Sequence, residues 1–303
     1  MSMSFDAFYR ELCGLGIAAE RDFELSRTNT FRIGGRCSVA VFPKSEQELC
    51  DTISLADSVA LPSIVLGRGS NCLVYDGRIE KVIIFTEGLC AIEFDGENVT
   101  CGAGASLVAL SKSAAERGLG GLEFACGIPG SVGGAVYMNA GAHGGAMADV
   151  LLSSRAFDRT SGSIITLTAA EHGFDYRKSF YMQRDDLVCL GASLRLCHAP
   201  IEEIKQKMQE NMHKRRATQP IEAFSAGSYF KRPEGDAAGR LIDVCGLKGF
   251  SVGGACVSPK HAGFVVNTGT ATFDDVMRLE EHIVKTVFEQ TGVVLKREVE
   301  IIR

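Results

Sequence analysis

The stretch "GIPGSVGGAVYMNAGAHGG", residues 127–145, carries seven glycines and one proline and contains no Lys, Arg, Asp or Glu. Glycine costs about 0.5–1 kcal/mol relative to alanine inside regular structure, so a run this bare asks for positive φ angles or for something lying against the main chain. Two readings stand open: an ornate loop, or a ligand cradle. A second glycine-rich run, "GRGSN" at 67–71, follows Pro62–Leu66, which reads as a buried strand. Backbone N–H groups converge on phosphate oxygens where side chains are absent, so this run suits a phosphate cradle, and a plain turn equally. It is not a dinucleotide fingerprint. Cys72 stands where G-x-G-x-x-G needs its last glycine, and no G-K-S/T occurs in the chain.

The chain has 303 residues, which suggests about two domains, and its 46% hydrophobic and 23% charged content is ordinary for a globular protein. Lys plus Arg number 32 against 37 Asp plus Glu, a net charge of −5, so no global field favours nucleic acid or an anionic membrane surface. Any anionic ligand is met locally. The opening "MSMSFDAFYRELCGLGI" carries Asp6, Arg10 and Glu11 and lacks a signal-peptide core, and no stretch elsewhere approaches 18 apolar residues, so a cytoplasmic location is expected. Eleven cysteines without a C-x-x-C pair read as reduced thiols used as small hydrophobes. Six histidines lack H-E-x-x-H spacing, and no metal site is expected.

Short elements alternate along the chain. Phe5, Phe8 and Leu12 predict a helix over 5–16, and Ser45 with Glu48 make a capping box ahead of a helix carrying Leu49, Ile53 and Ala56. Val82–Phe85 and Ile92–Phe94 read as strands, Ser106–Arg117 as a helix stopped by Gly118 and Gly120, and Ala156–Leu167 and Leu187–Leu196 as β-rich. Ile201, Ile204, Met208 and Met212 mark an amphipathic helix to Arg216 followed by Pro220, the expected domain junction. Beyond it Asp236 is placed to cap a short helix ending at Gly246, Phe264–Asn267 reads as a strand, and Thr272 and Asp275 open a long helix stopped by Gly292. The closing "VVLKREVEII" alternates, with Leu295, Val299 and Ile301 on one face and Lys296, Glu298 and Glu300 on the other.

Two further segments join hydroxyls to cations: Tyr176, Arg177, Lys178 and Ser179, and "AGSYFKRP" at Ala226–Pro233. Such mixtures suit a polyanion, and they suit solvated surface turns as well. Ser228 lacks a G-x-S-x-G context and is no triad nucleophile. Delivering a proton to a carbanion is a role that a positioned hydroxyl fills. For Glu298 the plain expectation is solvent exposure.

In order and spacing, these segments resemble the UDP-N-acetylenolpyruvoylglucosamine reductase family nearly end to end. The resemblance rests on "NTFRIGG" (29–35), "LGRGSNCLV" (66–74), "GLEFACGIPGSVGGAVYMNAGAHGG" (121–145), "YRKS" (176–179), "TQP" (218–220), "GSYFKRP" (227–233), "AGRLIDVCGLKG" (238–249), "GGACVSPKHAGFVVN" (253–267) and "LKREVEII" (295–302). It implies an α+β chain: an FAD-binding domain of the vanillyl-alcohol-oxidase (PCMH) type over 1–200, in subdomains of about 1–60 and 61–200, then a smaller α+β substrate-binding domain over 201–303. The absence of room for an extra tyrosine-bearing loop between Tyr176 and Thr218 places it in the compact subgroup.

The resemblance further implies FAD bound without a covalent tether by Gly67, Arg68, Gly69, Ser70 and Asn71, and by Gly127, Ile128, Pro129, Gly130, Ser131, Gly133, Gly134, Ala135 and Asn139. NADPH is the implied hydride donor and UDP-N-acetylglucosamine enolpyruvate the substrate, reduced to UDP-N-acetylmuramate for peptidoglycan by a monomer that needs neither nucleic acid nor membrane. Ser228 is the implied proton donor, and Arg177 and Glu298 stabilise the enolate-like intermediate. Tyr176, Lys231 and Arg232 are implied substrate contacts, Arg232 standing where the family commonly has asparagine. A flavin oxidase of the same superfamily would keep the glycine loops without needing Ser228 or Glu298. A non-catalytic nucleotide-sugar module would tolerate loss of Ser228, Arg177 or Glu298, and all three are present.

Overall fold

The computed structural model describes residues 3–303, which form two compact units, each assembled from three pieces of chain. The first takes in residues up to Phe23, Ser38–Arg68 and Glu80–His213; the second takes in Glu24–Cys37, Gly69–Ile79 and Lys214–Arg303. Residues 24–37 and 69–79, expected in the N-terminal domain, thus pack with the C-terminal part of the chain. The reason is local: Cys72–Val74 pairs in parallel with Glu300–Ile302, and Phe31, Ile33 and Leu73 enter the same core as Leu279 and Ile283.

In the first unit one sheet has the order Ala19–Glu24, Arg36–Val41, Ile79–Phe85, Ser63–Leu66, the last two parallel. The helices Phe5–Gly14 and Glu46–Ser58 place Phe8, Leu12, Leu49, Ile53 and Ala56 in its core. The expected capping box is half made, since Ser45 accepts from the Glu48 N–H while the Glu48 carboxylate accepts from Lys44 instead. Ser63–Leu66 is a strand, yet each of its residues is only half-buried, because it lies at the sheet edge rather than in the middle. A second, antiparallel sheet runs Ser163–Thr168, Leu151–Asp158, Leu187–Arg195, Asn98–Gly102, Ile92–Asp95. The helix Leu107–Glu116, capped by Ser106 and ended by Gly118 at φ +71°, packs Leu107, Leu110 and Ala114 into the core of that sheet.

The helix Ile201–Thr218 is less amphipathic than its spacing suggests. It buries only Ile204 and Asn211, and Asn211 Nδ2 donates to the Glu123 carbonyl at 3.0 Å, so an amide does the work expected of a methionine. In the second unit an antiparallel sheet runs Phe224–Ser228, Phe264–Asn267, Ala255–Val257, Ser251–Val252. Against it lies the helix Phe273–Thr291, whose capping box between Thr272 and Asp275 is complete, whose Val276, Leu279, Ile283 and Val287 are fully buried, and which ends at Gly292 in the left-handed region. Asp236 is not the cap of Ala238–Val244; Ala237 is, and the Asp236 carboxylate is taken up by Arg240. No helix among the described residues is long and apolar enough to cross a membrane.

Candidate functional site

The two glycine-rich loops are fastened to the fold by their own main chains. In the first unit Val132 N–H donates to Ala105 O at 2.9 Å, Gly133 N–H donates to Ala103 O at 2.8 Å, and Gly130 O accepts from Leu107 N–H at 3.1 Å. Ser131 caps the short helix Val132–Tyr137 by accepting from Gly134 N–H at 3.4 Å. A Cβ at Gly67 would stand 2.2 Å from Ser131 Oγ, and one at Gly133 would stand 2.8 Å from Ala103 Cβ. In the second unit Gly69 has φ +56°, and a Cβ there would meet Thr28 O at 2.7 Å. At these three positions, then, glycine is required by chain packing on chain.

Gly134 differs. It is exposed and helical, and a Cβ there would meet only Ser131 Oγ at 3.4 Å. Neither backbone conformation nor internal packing asks for glycine here, so bare main chain faces outward. Pro129 and Arg68 are exposed too, and the apolar Ile64, Val65 and Leu66 are half-covered. These residues offer a large flat ligand with a phosphate group an apolar strand, a side-chain-free approach at Gly134 and the Arg68 cation.

Arg177 lies in the first unit on the loop that follows Ser163–Thr168. Its guanidinium donates to Asn139 O at 3.3 Å and Gly141 O at 3.0 Å and lies 5.2 Å from the centroid of the half-exposed Tyr176 ring. Asn139 is itself a hub, buried, with Nδ2 donating to Asp175 O and Oδ1 accepting from Ala148 N–H, both at 3.0 Å. Both halves of its amide are thereby engaged inside the protein. Arg177, Asn139 and His143 all have positive φ (50°, 40° and 53°), which non-glycine residues adopt only where surrounding structure holds them. Ser179, grouped in sequence with the cations, is fully buried and donates to Tyr137 O at 2.6 Å.

The second unit holds Ser228, Lys231, Arg232 and Glu298. Ser228 is exposed at the end of Phe224–Ser228, past a bulge in the pairing with Phe264–Asn267, where Gly227 takes φ +80°. Glu298 is 8% exposed, contrary to the expectation of a solvated face. The alternation of the closing strand fails because only Glu300–Ile302 is regular strand, while the preceding residues follow an isolated bridge between Phe230 and Arg297. Glu298 N–H donates to Tyr229 O at 2.9 Å, Lys231 N–H donates to Lys296 O at 2.8 Å, and Asn71 Nδ2 donates to Glu298 O at 3.1 Å. The segments of Ser228 and Glu298 therefore lie side by side, and Asn71 of "GRGSN" holds the second in place.

Residues 37–168 match the FAD binding domain family, and residues 219–302 match the C-terminal domain of UDP-N-acetylenolpyruvoylglucosamine reductase. The UDP-N-acetylenolpyruvoylglucosamine reductase of Clostridium perfringens (strain SM101 / Type A) is 46% identical over 281 residues, 93% of this chain and 92% of the relative. The chain belongs to the UDP-N-acetylenolpyruvoylglucosamine reductase family. The Bacillus subtilis (strain 168) reductase is 43% identical over 279 residues, 92% of each chain. The crystal structure of the Thermus caldophilus reductase superposes with a TM-score of 0.81 at 36% identity, covering 95% of this chain and all of that one. An alkyldihydroxyacetonephosphate synthase shares the fold alone, at 15% identity, a TM-score of 0.50 and 66% coverage of this chain.

Within this reductase family framework, several supporting residues escape a motif reading. Tyr229 Oη donates to Glu280 Oε2 at 2.7 Å, and Arg297 Nη1 donates to the same oxygen at 2.9 Å. Burial, followed by the Glu280 charge, pushes the Tyr229 phenol above its ordinary value, so it remains a neutral donor. In the first unit Ser154 Oγ lies 2.9 Å from His172 Nε2 and 2.8 Å from Tyr181 Oη, joining the two stems of the loop that carries Arg177. A cleft of about 540 Å³, lined among others by Glu97, Phe124, Arg195, Lys207 and Asn211, contains none of the expected site residues. Among the described residues no cluster of three or more His, Cys, Asp or Glu could hold a metal. Burial pushes the Cys101 thiol up to about 12, in keeping with a packing role.

Proposed function

We propose that this chain is a cytoplasmic, monomeric flavoenzyme that reduces UDP-N-acetylglucosamine enolpyruvate to UDP-N-acetylmuramate with NADPH, in the synthesis of peptidoglycan precursors. The observation that carries the reading is the 46% identity to a named reductase over 93% of the chain, and Ser228, Arg177 and Glu298 are all present in the sequence. The Gly67–Arg68 turn and the side-chain-free backbone at the exposed Gly134 are the first unit's contribution to holding FAD, by letting the ligand approach the main chain closely and by the Arg68 cation. Bound FAD supplies hydride carriage between NADPH and the enolpyruvyl double bond.

Every other task falls on side chains. Hydride addition to one carbon of the double bond leaves negative charge on its neighbour, spread into the substrate carboxylate. Ser228, exposed at a bulged strand end, carries the proton that neutralises that carbon from its Oγ. Arg177 offers a cation already ordered by two carbonyls and by the Tyr176 ring, so little side-chain entropy is lost when anionic charge develops. Glu298 is held through its N–H, which donates to Tyr229 O, and through its carbonyl, which accepts from the Asn71 side chain, and its residue is 8% exposed. Lys231 and Arg232 supply cations to the diphosphate and carboxylate of the substrate.

The test is a visible spectrum of the purified protein, followed through addition of NADPH and then of the enolpyruvyl nucleotide. A yellow protein that bleaches with the first and recovers its colour with the second under anaerobic conditions is the expected result. Acid precipitation should leave all the colour in the supernatant. A colourless protein after FAD is supplied, or bleaching that the enolpyruvyl nucleotide does not reverse, overturns the reading.

A further inference from the structure

Tyr229 and Arg297 are the immediate sequence neighbours of Ser228 and Glu298, and both end on one carboxylate, that of Glu280 on the helix Phe273–Thr291. The two segments are otherwise joined thinly. Their pairing is an isolated bridge between Phe230 and Arg297, made by the backbone bonds from Glu298 N–H to Tyr229 O and from Lys231 N–H to Lys296 O. A ladder this short does not by itself fix the spacing of two side chains to the fraction of an ångström that catalysis demands.

The carboxylate sits behind that ladder. Glu280 is 17% exposed at its side chain, Tyr229 is 1% exposed, and the Arg297 guanidinium is further packed against Met277 Sδ at 3.8 Å. A phenol placed so deep loses its hydration and requires an acceptor, whereas a phenylalanine would fill the same space without that demand. The acceptor supplied is charged, shared, and anchored on a helix whose Val276, Leu279 and Ile283 are fully buried and whose start is fixed by a complete capping box. Charge-assisted bonds of this kind are roughly twice as strong as neutral ones and are directional.

We propose that Glu280 is a positioning residue for the reduction, its carboxylate clamping together the segments of Ser228 and Glu298 through Tyr229 and Arg297. The proposal rests on the reading of Ser228 as proton donor. It assigns Glu280 no contact with substrate or cofactor. Its effect is on the proton-delivering half of the cycle alone, because the groups it holds act there.

The test uses the FAD-loaded full chain and four variants: Tyr229→Phe, which removes one hydrogen bond and keeps the ring, Glu280→Gln, Ser228→Ala, and the double variant Ser228→Ala/Tyr229→Phe. Tyr229→Phe is expected to slow reoxidation by the enolpyruvyl nucleotide by roughly tenfold, the order of loss a slightly misplaced group produces, with NADPH-driven bleaching changed less than about twofold. Glu280→Gln, which keeps an acceptor for Tyr229 while losing the charge that Arg297 needs, is expected to fall between wild type and Tyr229→Phe. In the Ser228→Ala background, Tyr229→Phe should slow reoxidation less than it does in the wild-type background, since one of the two groups it positions is gone. Independently of turnover, hydrogen exchange at the Glu298 amide should quicken about tenfold in Tyr229→Phe, while amides in Leu107–Glu116 stay unchanged.

Wild-type exchange at Glu298 together with wild-type reoxidation in Tyr229→Phe overturns the clamp. So do equal slowing of both half-reactions and full additivity with Ser228→Ala, which mark a general loss of stability. If Ser228→Ala alone leaves reoxidation unchanged, the proton-donor reading fails instead, and the exchange measurement still decides whether Glu280 holds the two segments.

Discussion

Gly67 and Ser131 offer a quantitative test of how the two glycine-rich loops are joined. A Cβ at position 67 would stand 2.2 Å from Ser131 Oγ, and Ser131 is 2% exposed, so its hydroxyl has little room to move. Overpacking of a buried site costs about 1–3 kcal/mol, and expulsion of the hydroxyl adds the loss of the cap on Gly134 N–H. That bond is long, 3.4 Å, which puts the cap near about 0.5 kcal/mol, the low end for N-caps. Gly67→Ala is therefore expected to destabilise by about 1.5–3.5 kcal/mol, and Ser131→Ala by about 0.5–1 kcal/mol. In the double variant the new methyl group faces a Cβ at 3.3 Å instead of an oxygen at 2.2 Å, so most of the clash is gone. The cycle should show a favourable coupling of about 1–3 kcal/mol, the double variant being more stable than Gly67→Ala alone. Urea unfolding of all four proteins, with FAD retention recorded on each, measures it. Additive effects within about 0.5 kcal/mol would refute the contact between the loops as the reason for glycine at 67.

Ser228→Ala should leave bleaching by NADPH nearly intact and slow reoxidation by the enolpyruvyl nucleotide at least ~10²-fold, the lower end for a positioned acid; stopped-flow absorbance separates the two. Arg232→Asn should raise KM for the nucleotide sugar roughly tenfold with kcat changed less than about threefold, and more so at low salt, because uniform binding moves KM alone; an unchanged KM at low salt refutes it. Burial lowers the His172 pKa below its ordinary 6.5, so below that pH the unfolded chain takes up a proton that the folded chain refuses. Stability is then fully present above about 6.5, falls as pH drops toward the folded value, and stops falling beneath it, with a slope no steeper than about 1.4 kcal/mol per pH unit for one proton. Urea midpoints at several pH values for wild type and His172→Gln should show a shallower decline in the variant.

Elements whose ends carry side-chain signals were legible in the sequence. Thr272 with Asp275 and then Gly292 marked both ends of the long helix, and Ser106 and Gly118 marked those of Leu107–Glu116. Such caps act within four residues, and a linear reading sees them whole. Pro62–Leu66 misled because an apolar run records what a strand is made of and not whether it lies at the centre or the edge of a sheet. Glu298 misled for a related reason: a two-residue period assumes continuous strand, and residues 298 and 299, between the bridge at Arg297 and the strand Glu300–Ile302, are irregular. Order and spacing of motifs pointed to the family, yet the work done by Asn139, Asn71 and Glu280 depends on partners 36, 227 and 17 or more positions away, which no local pattern announces.

The strand Glu300–Ile302 lies beside Cys72–Val74, and Asn71 is bonded to a residue 227 positions further on. During synthesis, the ribosome has delivered Cys72–Val74 long before its strand partner exists. This piece of the second unit can bond early to Thr30 and Gly35 through the carbonyls of Gly69 and Tyr75, but its strand, carrying Leu73, waits without its parallel partner until residues 300–302 emerge. Neither compact unit is a single contiguous stretch of chain, so no one cleavage of the polypeptide yields both intact. Separating them for study therefore calls for rejoined or permuted genes, not for a protease.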